Sequence, residues 1–263
     1  MSRFIDRLNR TSQTVVQPLG FGTAQPVSEK PKMLLIASLA KADVDNLASY
    51  VAGADAGLLP ISKLSSGAKI FKEISLAISD FPWGGWLRDA GTGGVKQLEK
   101  VGCDFVVFPA ANTSLAMLQS SEVGKILEVE ASLSEGLLRT INELPVDAVL
   151  VAGEPKKERF LTWHHLMLFH YFADLLAKPL LVSVPSRVTD KELRALWQAG
   201  VVGVVVAVGV EQPAGGLKGL RRTIDNLAFP TQRKRGKTGA LLPYVSREAS
   251  RVVEEEEEEE EEE

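Results

Sequence analysis

A chain of 263 residues, 45% of them hydrophobic, is long enough for one large domain or two small ones with packed cores. It has no run of 18 apolar residues, and charged residues are spread through its first ten positions, so neither a membrane span nor a secretory signal is expected. The single cysteine, Cys103, excludes an intrachain disulfide and favours a cytoplasmic setting.

The net charge of −4 hides an uneven distribution of charge along the chain. The last ten residues, Glu254 to Glu263, are all glutamate, and without them 30 basic residues face 24 acidic ones. Most of that basic excess lies in residues 231–251, and the part before position 231 is close to neutral, so a nucleic-acid partner is not expected. Because like-charged blocks repel, we predict that residues 231–263 form a largely disordered tail. It either only aids solubility, or its acidic run competes for the basic cluster and tunes contact with an anionic partner.

Residues 1–31 are predicted to form an N-terminal arm. Phe4, Ile5 and Leu8 share one face of a short helix, and prolines and glycines follow from Pro18 onward. We expect the helix to pack across the closed end of a domain, and a partner-binding arm is the alternative.

From residue 32 onward, predicted strands and helices alternate. The predicted strands are 33–38, 56–60, 83–87, 105–108, 125–129, 148–151, 180–184 and 201–208. The predicted helices are 44–51, 67–78, 93–100, 113–118, 135–144, 159–176, 191–198 and 216–227. The last two strands are continuous apolar runs without alternation, which is typical of parallel strands covered on both faces.

An internal repeat supports this count of elements. Four strands are entered through similar junctions, in which Asp55, Asp104, Asp147 and Val202 occupy equivalent places about two βα units apart. On these grounds residues 32–228 resemble the (β/α)8 barrel, or TIM-barrel, superfamily at the level of architecture. The resemblance implies an α/β fold, a compact single-domain barrel over residues 32–230, with the functional site at the C-terminal ends of the strands. A doubly wound open sheet is the alternative, but the Gly-rich turn that it usually carries after its first strand is missing.

Two of the predicted strands end in charged residues suited to catalysis. On the fifth strand Glu128 and Glu130 are two residues apart and share a side, so they either enter the barrel as an acid–base pair or face the helices and pair with basic residues. After the third strand Arg88 could clamp a carboxylate or phosphate with Asp89 orienting it, or the two could simply stabilise the turn.

Further polar residues follow the other strands. Ligand contacts are predicted for Lys63, Asn112, Glu154, Ser183, Ser186, Gly215 and Gly216. Barrels of this type commonly bind phosphate in the loops after strands seven and eight, and the N–H groups of Gly215 and Gly216 open a helix there. Residues 209–216 are also similar to a Gly-x-Glu-x-Gly-Gly segment of flavin-dependent nitronate monooxygenases, although they contain extra residues and lack the histidine that follows it.

All three histidines, His164, His165 and His170, lie in the predicted helix 159–176. Their spacings of one, five and six residues do not bring them onto one helical face, so no metal site is predicted. The helix is apolar and aromatic nearly all round, which predicts a homo-oligomer that buries the surplus face of residues 160–176.

The sequence therefore leaves three hypotheses open. The first is a small-molecule enzyme, of lyase or isomerase type, that acts on a small anionic metabolite at the C-terminal rim. The second is a non-catalytic barrel that serves as a binding or assembly module through helix 159–176 and the tail. The third, weaker hypothesis is a flavin-dependent oxidoreductase; apart from it, no cofactor is indicated.

Overall fold

The computed structural model describes residues 2–12, 32–39, 47–61, 64–78, 80–88, 98–119, 122–152, 160–208 and 216–226. Within these ranges, eight parallel strands close into a barrel in their order along the chain, with the last strand paired to the first. The strands are β1 Leu34–Leu39, β2 Ala56–Ile61, β3 Trp83–Leu87, β4 Phe105–Pro109, β5 Gly124–Val129, β6 Ala148–Val151, β7 Leu180–Val184 and β8 Val201–Val208. The prediction of a (β/α)8 barrel is confirmed, and each predicted strand end lies within one residue of the observed one.

The described helices are α1 Arg3–Ser12, α2 Leu47–Val51, α3 Leu64–Ala77, α4 Glu135–Ile141, α5 Trp163–Leu175, α6 Asp190–Gln198 and α7 Gly216–Asn226. In the part of the chain that the structure describes, four predicted helices differ from it by more than one residue at an end or in type. The segment predicted at 113–118 is a short 3-10 helix, Leu115–Gln119, and the helix predicted at 135–144 ends at Ile141. The helix predicted at 67–78 begins at Leu64, and the helix predicted at 159–176 begins at Trp163. Of the helix predicted at 93–100, the structure describes residues 98–100, which are helical. Residues 13–31 and 227–263 lie outside the described ranges, so the predicted division into arm, barrel and tail stays a prediction. None of the described helices is long and apolar enough to cross a membrane.

Two outer helices begin with side-chain caps that the sequence encodes locally. In α6 the Thr189 hydroxyl accepts from the N–H of Glu192, and the Glu192 carboxylate accepts from the N–H of Thr189 at 2.7 Å. In α5 the cap is Thr162, and His165 takes the place of the glutamate: its Nδ1 accepts from the N–H of Thr162 at 3.0 Å. The cap at Thr162 explains why this helix begins later than residue 159.

The N-terminal rim of the barrel explains the repeat seen in the sequence. The N–H groups of Asp55, Asp104 and Asp147 each donate to a carbonyl near the start of the preceding strand. The carboxylates of Asp55 and Asp147 accept from the N–H groups of Leu35 and Lys125, at 2.8 and 2.7 Å. Each aspartate therefore joins two neighbouring strands at their starts.

Glycine is required two residues before some of these junctions. Gly53, Gly102 and Gly200 adopt φ angles between 88° and 98°, in the left-handed region that side chains rarely enter. These residues follow α2, the helical residues 98–100 and α6, and they let the chain turn back into β2, β4 and β8.

Helix α1 closes the N-terminal end of the barrel. Phe4, Ile5 and Leu8 are buried within the same cluster as the interior side chains of the strands, and the ring of Phe4 stacks on Phe105 with centroids 4.4 Å apart. A Cβ at Gly124 would overlap Ile5, so the absence of a side chain there makes room for the helix. The predicted packing of this helix across the closed end is confirmed.

Inside the barrel the side chains form levels of four, each from alternate strands, as is usual for eight-stranded barrels. The strand register places Ile36, Gly84, Ile126 and Leu181 at one level, and Leu58, Val107, Leu150 and Val205 at the level above it. Except for Gly84, all of these belong to the buried core cluster. The lower two thirds of the barrel are therefore filled with apolar side chains.

Candidate functional site

The next level towards the C-terminal rim contains polar groups instead of aliphatic side chains alone. Alternation along the four odd strands brings Ser38, Trp86, Glu128 and Ser183 to this level, directly above the apolar core. Ser38 is 8% exposed, and the other three side chains are half-buried. We call these four side chains the polar level.

Above the polar level the same alternation brings Pro60, Pro109 and Ala207, from even strands, towards the mouth, together with Ala152 just past the end of β6. These side chains are short, and Pro60 and Ala207 are exposed to solvent. The polar level therefore lies just below the C-terminal rim, beneath a ring of short side chains; we call this described part of the rim the mouth and the polar level its floor.

A hydrogen bond across the barrel fixes the only charged group of the polar level. The indole Nε1–H of Trp86 donates to Oε2 of Glu128 at 2.7 Å, and the ring of Trp86 packs against the core cluster below. Among the described residues, no group donates to Oε1 of Glu128. Glu128 therefore lies on the interior side of β5, with its Oε2 held by Trp86.

Glu130 and Arg88 lie higher, at the ends of β5 and β3. Glu130 follows its strand, is exposed, and accepts from the Ser132 hydroxyl at 3.3 Å. Arg88 is also exposed, and its backbone N–H donates to the carbonyl of Ile61. The structure thus separates the two glutamates: Glu128 is in the floor, while Glu130 is at the rim.

The other predicted ligand contacts are spread around the rim. Ser183 belongs to the polar level, Ser186 is half-buried in the turn after β7, and Asn112 is exposed after β4. Gly216 is the first residue of α7. Lys63, Asp89, Glu154 and Gly215 lie outside the described residues.

Three residues at or near this site were not singled out in the sequence. Trp86 and Ser38 look like ordinary strand residues, and their shared level is visible only once the strand register is known. Thr113, after β4, has a buried hydroxyl that lacks a hydrogen-bond partner among the described residues. No sequence signal places Ser38 and Trp86 at the level of Glu128, because the repeated junctions lead into the even strands and the level depends on the strand register.

The groups with shifted pKa values lie at the opposite end of the barrel. Burial raises the pKa of the Cys103 thiol to about 12. Burial also raises the pKa of Asp55, and the hydrogen bond from Leu35 and the guanidinium of Arg221 oppose that shift only in part. Both residues precede strands and belong to the N-terminal rim, so they stabilise the fold rather than the site.

Within the described part of the chain, no three His, Cys, Asp or Glu side chains are grouped so that they could hold a metal ion. The three histidines all lie on α5, and the ring of His165 serves to cap that helix. Near the mouth, the described ionisable groups include the two carboxylates, Arg88, and Arg187 in the turn after β7.

Comparison with known proteins identifies an architecture. No protein family and no curated protein matches this chain. Orotidine 5'-phosphate decarboxylase from Pyrococcus horikoshii OT3 is similar with a TM-score of 0.58 and 14% identity, over 74% of this chain and 100% of that one. N-(5'-phosphoribosyl)anthranilate isomerase from Pyrococcus furiosus gives 0.55 and 16%, over 74% and 100%. The tryptophan synthase A-subunit from Pyrococcus furiosus gives 0.54 and 13%, over 73% and 96%. At these identities the similarity shows the TIM-barrel fold alone.

Proposed function

We propose that this protein is an enzyme of lyase or isomerase type that acts on a small anionic metabolite at the C-terminal rim. Glu128 carries the proposal, because it is the charged side chain that the structure describes in the floor of the mouth. A carboxylate above a filled apolar core and below the mouth can reach a bound molecule and is sheltered from bulk water.

The chemistry assigned to Glu128 is general acid–base catalysis. Trp86 holds Oε2, so Oε1 would take a proton from the substrate and return it to a neighbouring atom in an isomerisation, or to a departing group in an elimination. Trp86 acts as a positioning residue, since it fixes the carboxylate through its indole N–H. Ser38 and Ser183 offer hydroxyl groups to the substrate at the same level.

Two features of the rim support an anionic substrate. The guanidinium of Arg88 offers a two-pronged set of donors suited to carboxylate or phosphate, and α7 begins with an N-terminal turn at Gly216. Two of the solved structures of similar fold are, by their names, a decarboxylase of orotidine 5'-phosphate and an isomerase of a 5'-phosphoribosyl compound. A phosphorylated or carboxylated small molecule is therefore the first class of substrate to test.

The test monitors proton exchange in D2O by proton NMR, with a panel of sugar phosphates, phosphoribosyl compounds and 2-oxo acids. The wild-type protein is expected to exchange a carbon-bound proton of at least one compound, or to convert it. Glu128→Gln keeps the hydrogen bond from Trp86 and removes the base, so the rate should fall by about 100-fold or more while binding of that compound persists. Arg88→Ala should weaken binding of the same compound.

Asp147→Asn is the matched control, because Asp147 is an exposed carboxylate at the other end of the barrel and binds only the N–H of Lys125 among the described residues. It should leave the exchange rate unchanged. If no compound exchanges or reacts with the wild type, or if Glu128→Gln retains the full rate, the catalytic proposal is wrong. A yellow protein with flavin absorbance after purification would favour the oxidoreductase hypothesis instead.

A further inference from the structure

Helix α5 differs from its neighbours in the face that it turns to solvent. The next helix, α6, carries four charged residues among nine, and α7 carries four among eleven. In α5, thirteen residues long, Asp174 is the single charged residue. Its inner face already buries Phe169 and Phe172, so contact with the barrel does not account for its remaining apolar residues.

The outer face of α5 exposes large apolar side chains at successive turns. Trp163, Met167 and Tyr171 are 82%, 68% and 38% exposed, and Phe160, just before the helix, is 68% exposed. On the α4 side, Leu137 and Leu144 are 55% and 43% exposed. We call these six side chains the α5 patch.

A side-chain bridge holds the two parts of the α5 patch together. Asn142, just after α4, donates through Nδ2 to the carbonyl of Leu175 and accepts through Oδ1 from the N–H of Ala177, both at 2.9 Å. The α4 and α5 segments are therefore fixed neighbours in the outer layer, and we treat their exposed side chains as one surface.

The area of this surface matches half of a protein–protein interface. At roughly 200 Å² for a fully exposed large side chain, the exposed fractions of the six side chains amount to about 700 Å². The largest apolar patch of an ordinary monomer is about 300–600 Å², and each partner buries about 800 Å² in a standard interface.

We propose that a second copy of this chain covers the α5 patch, with the two α5 helices antiparallel across a two-fold axis near Met167. The axis places Met167 opposite itself and Trp163 of one copy against Tyr171 of the other, so aromatic and thioether groups pack together. The six side chains of the patch themselves carry no charge, so the direction of pairing decides which charged neighbours come together.

The antiparallel direction is also favoured by charge. In this arrangement Asp174 of each copy comes near residue 160 of the other, beside the N-terminus of the other α5. The partial positive charge of a helix N-terminus attracts a carboxylate there, whereas a parallel pairing would bring the two Asp174 side chains together. This inference concerns the outer surface and is independent of the chemistry proposed for Glu128.

The first test measures the mass of the full-length protein by light scattering and sedimentation across a range of concentrations. We expect a dimer, twice the chain mass of 28.5 kDa. Met167→Glu places two carboxylates at the axis and should raise the dissociation constant by about 30-fold or more. The matched control is Leu76→Glu on α3, where Leu76 is exposed to a similar extent as Met167, and it should leave the dimer intact.

The second test asks whether the two α5 helices meet at the proposed axis. Met167→Cys should form a disulfide-linked dimer on mild oxidation, because position 167 faces itself, while Leu76→Cys should not. Cys103 is buried and does not compete. A monomeric wild-type protein at high concentration, a Met167→Glu dimer as tight as wild type, or equal crosslinking through positions 76 and 167 would each overturn the proposal. Circular dichroism identifies any variant that has not folded. If Met167→Glu does not fold, Tyr171→Glu is measured in its place.

Discussion

At the scale of single residues, burial decides which groups are available for chemistry. Cys103 and Glu128 both have reactive side chains, yet Cys103 is packed under β4 and donates to the carbonyl of Phe105. Glu128 lies at the boundary between core and mouth, with Trp86 on one oxygen. Cys103, just before β4, therefore belongs to the core, and Glu128, near the end of β5, is the group that we propose for catalysis.

The raised pKa of Cys103 leads to a prediction about its reactivity. Because burial raises this pKa to about 12, the thiol stays protonated at neutral and mildly alkaline pH in the folded protein, and the thiolate is the reactive form. We expect a disulfide reagent to leave Cys103 unmodified at about pH 8 and to label it stoichiometrically once denaturant unfolds the chain. Rapid labelling of Cys103 in a protein whose circular dichroism spectrum is still native would contradict the assignment of Cys103 to the core.

At the scale of elements, α1 shows how a short helix is held in place by residues that lie far from it in the sequence. The Asp104 carboxylate accepts from the Ser2 hydroxyl and from the N–H groups of Arg3 and Phe4, at 2.8 to 2.9 Å. These N–H groups have no partner within the helix, so Asp104 acts as a cap supplied by another element. Arg7 adds a bond to the carbonyl of Asp55 on the rim.

Removal of this cap should destabilise the protein measurably. Asp104→Ala leaves three donors without their acceptor, so the free energy of unfolding should fall by about 2–3 kcal/mol in a denaturant titration. Hydrogen exchange of the α1 amides should also become faster. Asp147→Ala, which removes one bond to the N–H of Lys125, should cost about 1 kcal/mol and leave α1 exchange unchanged. Equal losses in the two variants would mean that Asp104 does not cap α1.

Elements with a strong local signal were predictable from the sequence, and long-range contacts were not. Strands β6 and β8 are bounded apolar runs, and the apolar face of Phe4, Ile5 and Leu8 indicated a docked helix. The partner of Phe4 is about a hundred residues away, so no local pattern identifies Asp104 as its cap. The same holds for the site: Glu128 stood out as a charge in a strand, but its bond to Trp86 depends on the register of three strands.

At the scale of the whole molecule, the two rims of the barrel are built differently. The N-terminal rim carries aspartates bonded to neighbouring strands and a docked helix, and the C-terminal rim carries the polar level. Asp55 belongs to the first group: it joins β1 to β2 and binds Arg221 of α7 at 2.8 Å, while Arg221 also binds Asp225. The N-terminal rim therefore stabilises the fold, and the group that we propose for catalysis lies towards the opposite end.

The raised pKa of Asp55 predicts how stability depends on pH. The folded protein binds the proton of the Asp55 carboxyl more tightly than the unfolded chain does. The stability gained from this proton is therefore complete below the ordinary pKa of 3.8, and it is lost as the pH rises through the pKa of Asp55 in the folded protein. Asp55→Asn cannot ionise and keeps an acceptor for the N–H of Leu35. As the pH rises above 3.8, the unfolding free energy of the wild type should therefore fall relative to that of Asp55→Asn in denaturant titrations. A difference that is constant or rises with pH would mean that the Arg221 ion pair outweighs burial.

The docking of α1 has a consequence for the order of folding. Its seat is built from Asp104 and Phe105 in the middle of the chain and Gly124 beyond them, inside a ring that closes only when β8 reaches β1. During synthesis, α1 is made before the residues that it packs against, so it must remain undocked until β5 has been made and the barrel can close. A helix that is translated before the barrel therefore docks late in folding, and its docking reports a completed barrel.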